Sequence, residues 1–305
     1  MIATVASQQV VSLSRQRIFL ALLGTFLAMT ALAGVIGWSS HNTIVRVYND
    51  AVQVLSSSGQ PAPPNPFDLK PTLSLLSNMA IYIPLVGALL ALVLGHLSLA
   101  DDQAGGIGRL IFSRQVSRTS YVMGKLLSAA AVLGAVIAAS MAVSVVSLLL
   151  VNRSSPSAAE FGRLGLFYGL SWLYLMFFAL VGMVAVLLTR RRSVALLAAM
   201  GVWLVLTFAV PQFTSGLHPT ASLNPINDPV STSQPFFDAT AKVRPISVTE
   251  QYKEAGARIL GTAPSEPAPD TALRVLPLAV SVAGLGLLTT RLVRRHDYSK
   301  GSYDE

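Results

Sequence analysis

The sequence contains no cysteine among its 305 residues. This absence excludes a disulfide framework, a thiolate nucleophile and a cysteine-ligated metal site. It also means that cysteine usage gives no information on the redox state of the protein's compartment. Histidine is also scarce, and no spacing typical of a metal site relates the four residues, which are His41, His96, His218 and His296. We therefore expect no metal centre in this chain.

Charged residues are scarce as well. They make up 12% of the chain, against about 25% in an average protein, whereas 52% of the residues are hydrophobic and the mean hydropathy is +0.59. The apolar residues occur in blocks of bilayer length. The net charge of +8 would suggest nucleic acid in a soluble protein, but here the basic residues lie mostly at helix ends, where they indicate membrane topology. We therefore expect no nucleic acid partner.

A nucleotide-binding loop is missing too. Gly124-Lys125 lacks the upstream glycine and the following Ser or Thr of a phosphate-binding loop, and it opens a hydrophobic run. The few polar residues give no basis for a Ser/His/Asp arrangement. We expect no intrinsic enzyme activity and no cofactor in this chain.

The apolar blocks predict an all-α, polytopic membrane protein with six spans. Their approximate bounds are 18–38, 75–100, 126–151, 164–188, 194–213 and 275–290, and Pro211 interrupts the fifth span near its end. Residues 1–17 are weakly amphipathic and are expected in the membrane interface. A cleaved signal peptide ending near Ala31-Leu32-Ala33 is the alternative for the first span, but the apolar stretch is longer than the usual signal sequence.

The distribution of positive charge predicts that both termini are cytoplasmic. On that assignment the inner segments carry 13 of the 22 Lys and Arg residues in 61 residues, and the outer segments carry nine in 109. Arg190-Arg191-Arg192 forms a tight inner hairpin of the kind that the positive-inside rule predicts.

Three outer connections follow from this topology. Residues 39–74 are rich in proline and predict an exposed loop, and residues 152–163 predict a short outer turn. Residues 214–274 predict an extracytoplasmic helical loop. Its candidate helices lie near Pro235–Lys242 and Val248–Leu260, the second of which carries charge pairs at helical spacing.

The predicted spans contain none of the 36 charged residues. Transporters driven by protons or sodium keep such residues at mid-membrane, so we expect any energy for transport to come from outside this chain. Asn78, Tyr82 and His96 share one face of the second span. Together with Trp203 they are candidates for lining a pathway or for packing against a neighbouring helix, and both interpretations stay open.

The connection after the second span is long and patterned. It begins with Asp101-Asp102, continues through glycines and an amphipathic piece, and closes with Gly124-Lys125. A plain tether between membrane helices needs only a few polar residues. We therefore interpret residues 101–125 as a cytoplasmic docking element that receives force from a separate protein.

The same stretch resembles the type-2 permeases of ATP-binding-cassette (ABC) transporters. In that family an acidic residue is followed by Gly-Thr, a run of leucines, Pro-Val-Ser-Arg and a closing Gly-Lys. This sequence has Asp102, Gly106, Leu110-Ile111-Phe112, Gln115-Val116-Ser117-Arg118 and Gly124-Lys125 at those positions, with Ile107 replacing Thr and Gln115 replacing Pro. The overall layout looks most like the subgroup that includes the permease of nitrous-oxide-reductase maturation.

The resemblance implies a type-2 ABC exporter permease fold in the plasma membrane of a bacterium, and a second permease copy as partner. It also implies a cytoplasmic ABC ATPase subunit that binds ATP and Mg²⁺. The residues implied in ATPase coupling are Asp102, Gly106, Arg109, Ile111, Arg114, Ser117, Arg118, Gly124 and Lys125. The alternative is a membrane anchor or assembly subunit that transports nothing and acts through residues 214–274.

Overall fold

The protein is helical wherever its structure is described. The computed structural model describes residues 2–61, 64, 73, 76, 78–104, 117–152, 157–189, 191–214, 242, 247–262 and 268–295. Every regular element in these ranges is a helix, which confirms the predicted all-α class. Within them, six helical segments are long and apolar enough to cross a membrane, as predicted.

The chain begins with a short helix that leads into a very long one. Helix α1 spans Ile2–Ser14 and helix α2, the first span, covers Arg17–Ser57. The prediction of an exposed loop at 39–74 is therefore wrong for residues 39–57, which are helical. No residue from 39 to 58 is glycine or proline, so none of them stops a helix, and a helix outside the bilayer needs no apolar run.

Glycine ends this long helix. Gly59 adopts a φ of 73°, and the N–H groups of Gly59 and Gln60 donate to the carbonyls of Ser56 and Leu55. This is the Schellman arrangement, which satisfies the last carbonyls of a helix. The 41 residues of α2 rise about 60 Å, roughly twice the hydrocarbon thickness of a bilayer, so α2 projects well beyond the membrane.

The second span contains a π-helical turn. Helix α3 spans Met79–Tyr82, the π turn Ile83–Gly87, and helix α4 Ala88–Ala104. Pro84 lies inside the π turn. Proline has no N–H to donate and its ring clashes with the carbonyl four residues earlier, and the wider turn accommodates both effects.

The third span, helix α5, covers Arg118–Asn152 and begins about two turns before the predicted Leu126. Ser117 precedes it as the N-cap residue, because its Oγ accepts a hydrogen bond from the Ser120 N–H at 3.1 Å. Both flanks of the predicted 101–125 element are therefore helical. Residues 105–116 of that element lie outside the described ranges.

The fourth span, helix α6, covers Ala158–Leu188. It starts six residues before the predicted Leu164, because Ser157 and Glu160 form a capping box that begins the helix there. The predicted outer turn at 152–163 is correspondingly shorter.

The fifth span also contains a π turn. It consists of α7 at Arg192–Leu204, the π turn Val205–Ala209 and α8 at Val210–Thr214. The sequence predicts an interruption at Pro211, and the structure has the π turn there, about one turn before the proline. The cause is that Pro211 has no N–H to donate to the carbonyl four residues earlier.

The last two helices come from the long outer loop and the sixth span. Helix α9 spans Val248–Ile259, close to one predicted candidate helix. The other candidate, Pro235–Lys242, lies outside the described residues apart from Lys242. Helix α10 covers Ala268–Arg295 and contains the sixth span, so it is longer than the predicted 275–290 and includes the arginines expected after it.

The second and fourth spans form the centre of the bundle. In the most apolar stretches of the second and fourth spans, 67% and 72% of the residues are buried. In the other four spans the buried share is only 11–33%. Glycines let the two helices touch: a Cβ on Gly95 would overlap the carbonyl oxygen of Ala179, and one on Gly182 would overlap that of Leu92. The remaining spans surround this pair and expose apolar faces.

Candidate coupling site

Five of the predicted coupling residues lie in the described ranges, and all five flank the connection between the second and third spans. Asp102 lies in the last turn of α4. Ser117, Arg118, Gly124 and Lys125 lie at or near the start of α5. The other predicted coupling residues lie outside the described ranges; they are Gly106, Arg109, Ile111 and Arg114.

A buried ion pair joins the two sides of this connection. The Nζ of Lys125 lies 2.6 Å from the Oδ2 of Asp102, and these side chains are only 6% and 15% exposed. The Tyr121 hydroxyl donates to the same Oδ2 at 2.6 Å, and Lys125 Nζ also donates to the Oε1 of Gln9 in α1. A buried ion pair is retained when its remaining donors and acceptors are satisfied, and these additional hydrogen bonds satisfy them.

The neighbouring acid reaches two other elements. The Oδ1 of Asp101 accepts a hydrogen bond from the Arg192 guanidinium at 2.7 Å, at the start of the fifth span. The Nε2 of Gln16, between α1 and α2, donates to the other carboxylate oxygen of Asp101. The two consecutive acids therefore connect the second span to the first, third and fifth.

The sixth span joins the third one at the same end of the bundle. The Arg118 guanidinium donates to the backbone carbonyl of Arg294, and the Arg294 guanidinium donates to Thr119 Oγ1 at 3.0 Å. These contacts fix the first turn of α5 against the last turn of α10.

We call the residues that make the contacts described above, at this one end of the bundle, the basic-end cluster. It includes residues of four of the six spans and the residue that precedes the first span, and it joins both helical flanks of residues 105–116. The described residues contain no group of three or more side chains suited to a metal ion. The cluster consists of Gln9, Gln16, Asp101, Asp102, Arg118, Thr119, Tyr121, Lys125, Arg192 and Arg294.

Comparison with known families agrees with this architecture. The model of the ABC-2 family transporter proteins matches residues 3–292, nearly the whole chain. This chain belongs to the ABC-2 transporter family. It is therefore a multi-pass transmembrane component of an ABC transporter, and the family implies a separate ABC ATPase as partner. No curated protein matches the chain.

The candidate pathway residues of this ABC-2 permease occupy different environments. His96 is 2% exposed, its backbone nitrogen lies close to Gly182 of the fourth span, and its Nδ1 has no hydrogen-bond partner among the described residues. The Trp203 indole N–H donates to the carbonyl of Pro84 at 3.2 Å and so joins the fifth span to the π turn of the second. Asn78 and Tyr82 are half-buried near the outer end of the second span.

The loop helix of the permease reaches into the bundle. Rather than covering the outer end, α9 buries Tyr252 against the middle of the fourth span, where its ring stacks on Tyr174 at 4.5 Å between centroids. The Tyr252 hydroxyl lies 3.0 Å from Ser171 Oγ. Thr249 Oγ1 donates to the carbonyl of Leu206 in the fifth-span π turn at 2.8 Å and lies 3.1 Å from the Tyr174 hydroxyl. The helix thus bridges the fourth and fifth spans.

Sequence reasoning missed several members of the basic-end cluster. The sequence indicates Arg192 only as a topology marker, and it assigns no role to Gln9, Gln16 or Tyr121. One signal was available: two adjacent acids at a helix end that is otherwise basic need cationic or hydrogen-bonding partners there. Nothing in the sequence indicated that Thr249 and Tyr252 would enter the bundle.

Proposed function

We propose that this ABC-2 permease pairs with a second permease chain and exports a substrate from the cytoplasm, powered by a cytoplasmic ABC ATPase bound at its basic end. The positive-inside rule assigns the basic end to the cytoplasm of the plasma membrane. Residues 105–116 dock on the ATPase, and Arg109 or Arg114 meets acidic groups there. The substrate class is left open.

The buried ion pair between Asp102 and Lys125 is the observation that carries the proposal. It closes the base of the proposed docking segment with side chains that are almost fully buried. A closed base moves as one body, whereas a loose one would absorb the movement of the ATPase without moving the spans. The bonds of Asp101 and Arg118 extend this rigid base to the fifth and sixth spans.

The two π turns support a particular movement. They interrupt the second span at 83–87 and the fifth at 205–209, and the Trp203–Pro84 hydrogen bond connects the two spans at that level. π turns often occur at functional sites in helices. In the proposal the cytoplasmic halves of the second and fifth spans tilt about these turns and open a path between the paired permeases.

The energy for this movement comes from the partner, which holds ATP and Mg²⁺, and the permease itself performs no chemistry. The sequence layout favours the subgroup that includes the permease of nitrous-oxide-reductase maturation. We assign no substrate on that basis.

Co-purification tests the proposal. The tagged, full-length permease is isolated from its native membranes, and the proposal predicts a stoichiometric ABC ATPase in the complex. The ATPase activity of that complex should change in the D102N variant, which removes the charge but keeps the shape. A complex that lacks an ATPase and holds only an extracytoplasmic protein would contradict the proposal and favour the membrane anchor.

A further inference from the structure

An apolar groove of about 330 Å³ runs along the outside of the bundle between the first and third spans. Helix α1 closes its basic end with Val10, Leu13 and Ser14. Leu13 is buried, whereas Val10 is 40% exposed, so the groove is accessible from the surrounding membrane.

The groove arises from a difference in side-chain size. Phe19, Leu23 and Leu27 form one wall, at every fourth position of α2, and Ala131, Ala135 and Ala139 form the floor at the same spacing on α5. The short alanine side chains leave the space between the helices unfilled. Eight residues of helix make this groove about 12 Å long, and it runs along the spans.

Two arginines lie at the basic end of the groove. Arg15 directly follows the lining residue Ser14, and Arg17 comes two residues before the lining residue Phe19. Both arginines are exposed, and neither makes an ion pair with any residue of the described ranges. The groove is apolar along the spans and has cations at its interfacial end. A phospholipid has the matching arrangement, because its acyl chains lie along the membrane normal and its phosphate lies at the surface.

We propose that this groove is a binding site for an anionic phospholipid of the cytoplasmic leaflet. One acyl chain lies on Ala131, Ala135 and Ala139, and the phosphate headgroup binds Arg15 and Arg17. This inference does not depend on the proposed transport function, because it requires only that the basic end faces the cytoplasmic leaflet.

The dimensions of the groove favour lipid over a second copy of the chain. A helix with its side chains is about 10–12 Å wide. The first and third spans are in direct contact above the groove, where Thr30 and Ser140 hydroxyls lie 3.2 Å apart. A cleft between two contacting helices admits a single chain of methylenes and not a third helix.

Photo-crosslinking in vesicles tests the site. The full-length permease is reconstituted in phosphatidylcholine vesicles that contain either phosphatidylglycerol or phosphatidylcholine with a diazirine on its acyl chain. Mass spectrometry then locates the labelled residues. We expect the phosphatidylglycerol probe to label residues 19–27 and 131–139 more strongly than the phosphatidylcholine probe does.

Two variants and two matched controls make the test specific. The R15Q/R17Q variant should reduce phosphatidylglycerol labelling of the groove by roughly fivefold for each arginine, and leave phosphatidylcholine labelling unchanged. The A135F variant, which fills the groove, should reduce labelling by both probes. R46Q at the other end of α2 and A142F on α5 outside the groove should change neither.

Three results would overturn the proposal. One is equal labelling of the groove by both probes in the unmodified protein. Another is groove labelling by phosphatidylglycerol that survives R15Q/R17Q. The third is a disulfide between two copies carrying A135C, which is interpretable because the natural chain has no cysteine, and which would assign the groove to a second copy.

Discussion

Lys125 Nζ lies 2.6 Å from Asp102 Oδ2, and this single contact joins the end of the second span to the start of the third. Twenty-two residues separate the two side chains in the sequence, yet both are almost fully buried at the same end of the bundle. The contact therefore holds the two helical flanks of the connection together, as the proposed transfer of force from an ATPase needs.

The K125M variant should be markedly less stable than the natural protein. It leaves the Asp102 carboxylate buried with only Tyr121 as a donor, and breaking a buried pair costs about 3–5 kcal/mol. The midpoint of thermal unfolding in detergent should therefore fall. The D102N/K125M double variant should recover part of the loss, because no charge is then left unpaired.

R192Q is the matched control for this experiment. Arg192 and Asp101 form an ion pair whose side chains are 44% and 26% exposed, so its loss should cost about 0–1 kcal/mol. Equal unfolding midpoints for K125M and R192Q would show that the Asp102–Lys125 pair does not stabilise the base of the connection.

The R192Q variant should separate stability from coupling. The Arg192–Asp101 pair is partly exposed, so its loss should change stability by less than about 1 kcal/mol. The same change releases the fifth span from the second at the basic end, and stimulation of the partner ATPase by substrate or lipid should decrease. R191Q, one residue earlier and exposed, serves as the control; equal effects of both variants would indicate a general role of positive charge instead.

The G182A variant should disrupt the centre of the bundle. A methyl group at this position would overlap the carbonyl of Leu92 and force the second and fourth spans apart, at a cost of about 1–3 kcal/mol. G169A, on the same helix, meets nothing within 4 Å and should be neutral or slightly stabilising. Thermal unfolding of both variants checks the prediction, and a stable G182A would contradict the close packing of these spans.

The T249V variant should loosen the loop helix from the bundle. Valine keeps the shape of the side chain but loses the hydrogen bonds to Leu206 and Tyr174, which leaves buried polar atoms unsatisfied at a cost of about 1–3 kcal/mol. Amide hydrogen exchange in α9 should accelerate. T262V removes an exposed hydroxyl near the same helix and should leave exchange unchanged. An amide exchange rate in T249V equal to that of the natural protein would argue against the bridging role of α9.

Hydropathy was sufficient to predict the number of spans, because burial in a bilayer requires long apolar runs. It did not predict where the helices end. Residues 39–57 are polar but contain no helix-breaking residue, so α2 continues through them until Gly59. Conversely, the sequence assigns Arg118 to Lys125 to the docking element and not to the third span, although Ser117 caps a helix that starts there and continues as that span.

The partners within the candidate site were less predictable still. Sequence reasoning selected Asp102 and Lys125 from a family resemblance, but their mutual contact depends on how two helices pack across a connection. The contact between Asp101 and Arg192 spans 91 positions in the chain, and the burial of Tyr252 on Tyr174 depends on a loop folding back into the bundle. Such contacts follow from tertiary packing, which neither periodicity nor composition encodes.

In the proposed mechanism, residues 105–116 and their helical flanks transmit the work of an ATPase to the spans. The most direct test of this claim is ATP hydrolysis and transport by the co-purified complex carrying I111A and R118A. We predict that the variant permease stays folded and that ATP hydrolysis no longer drives transport. Unchanged ATPase binding, hydrolysis and transport in this double variant would contradict the claim.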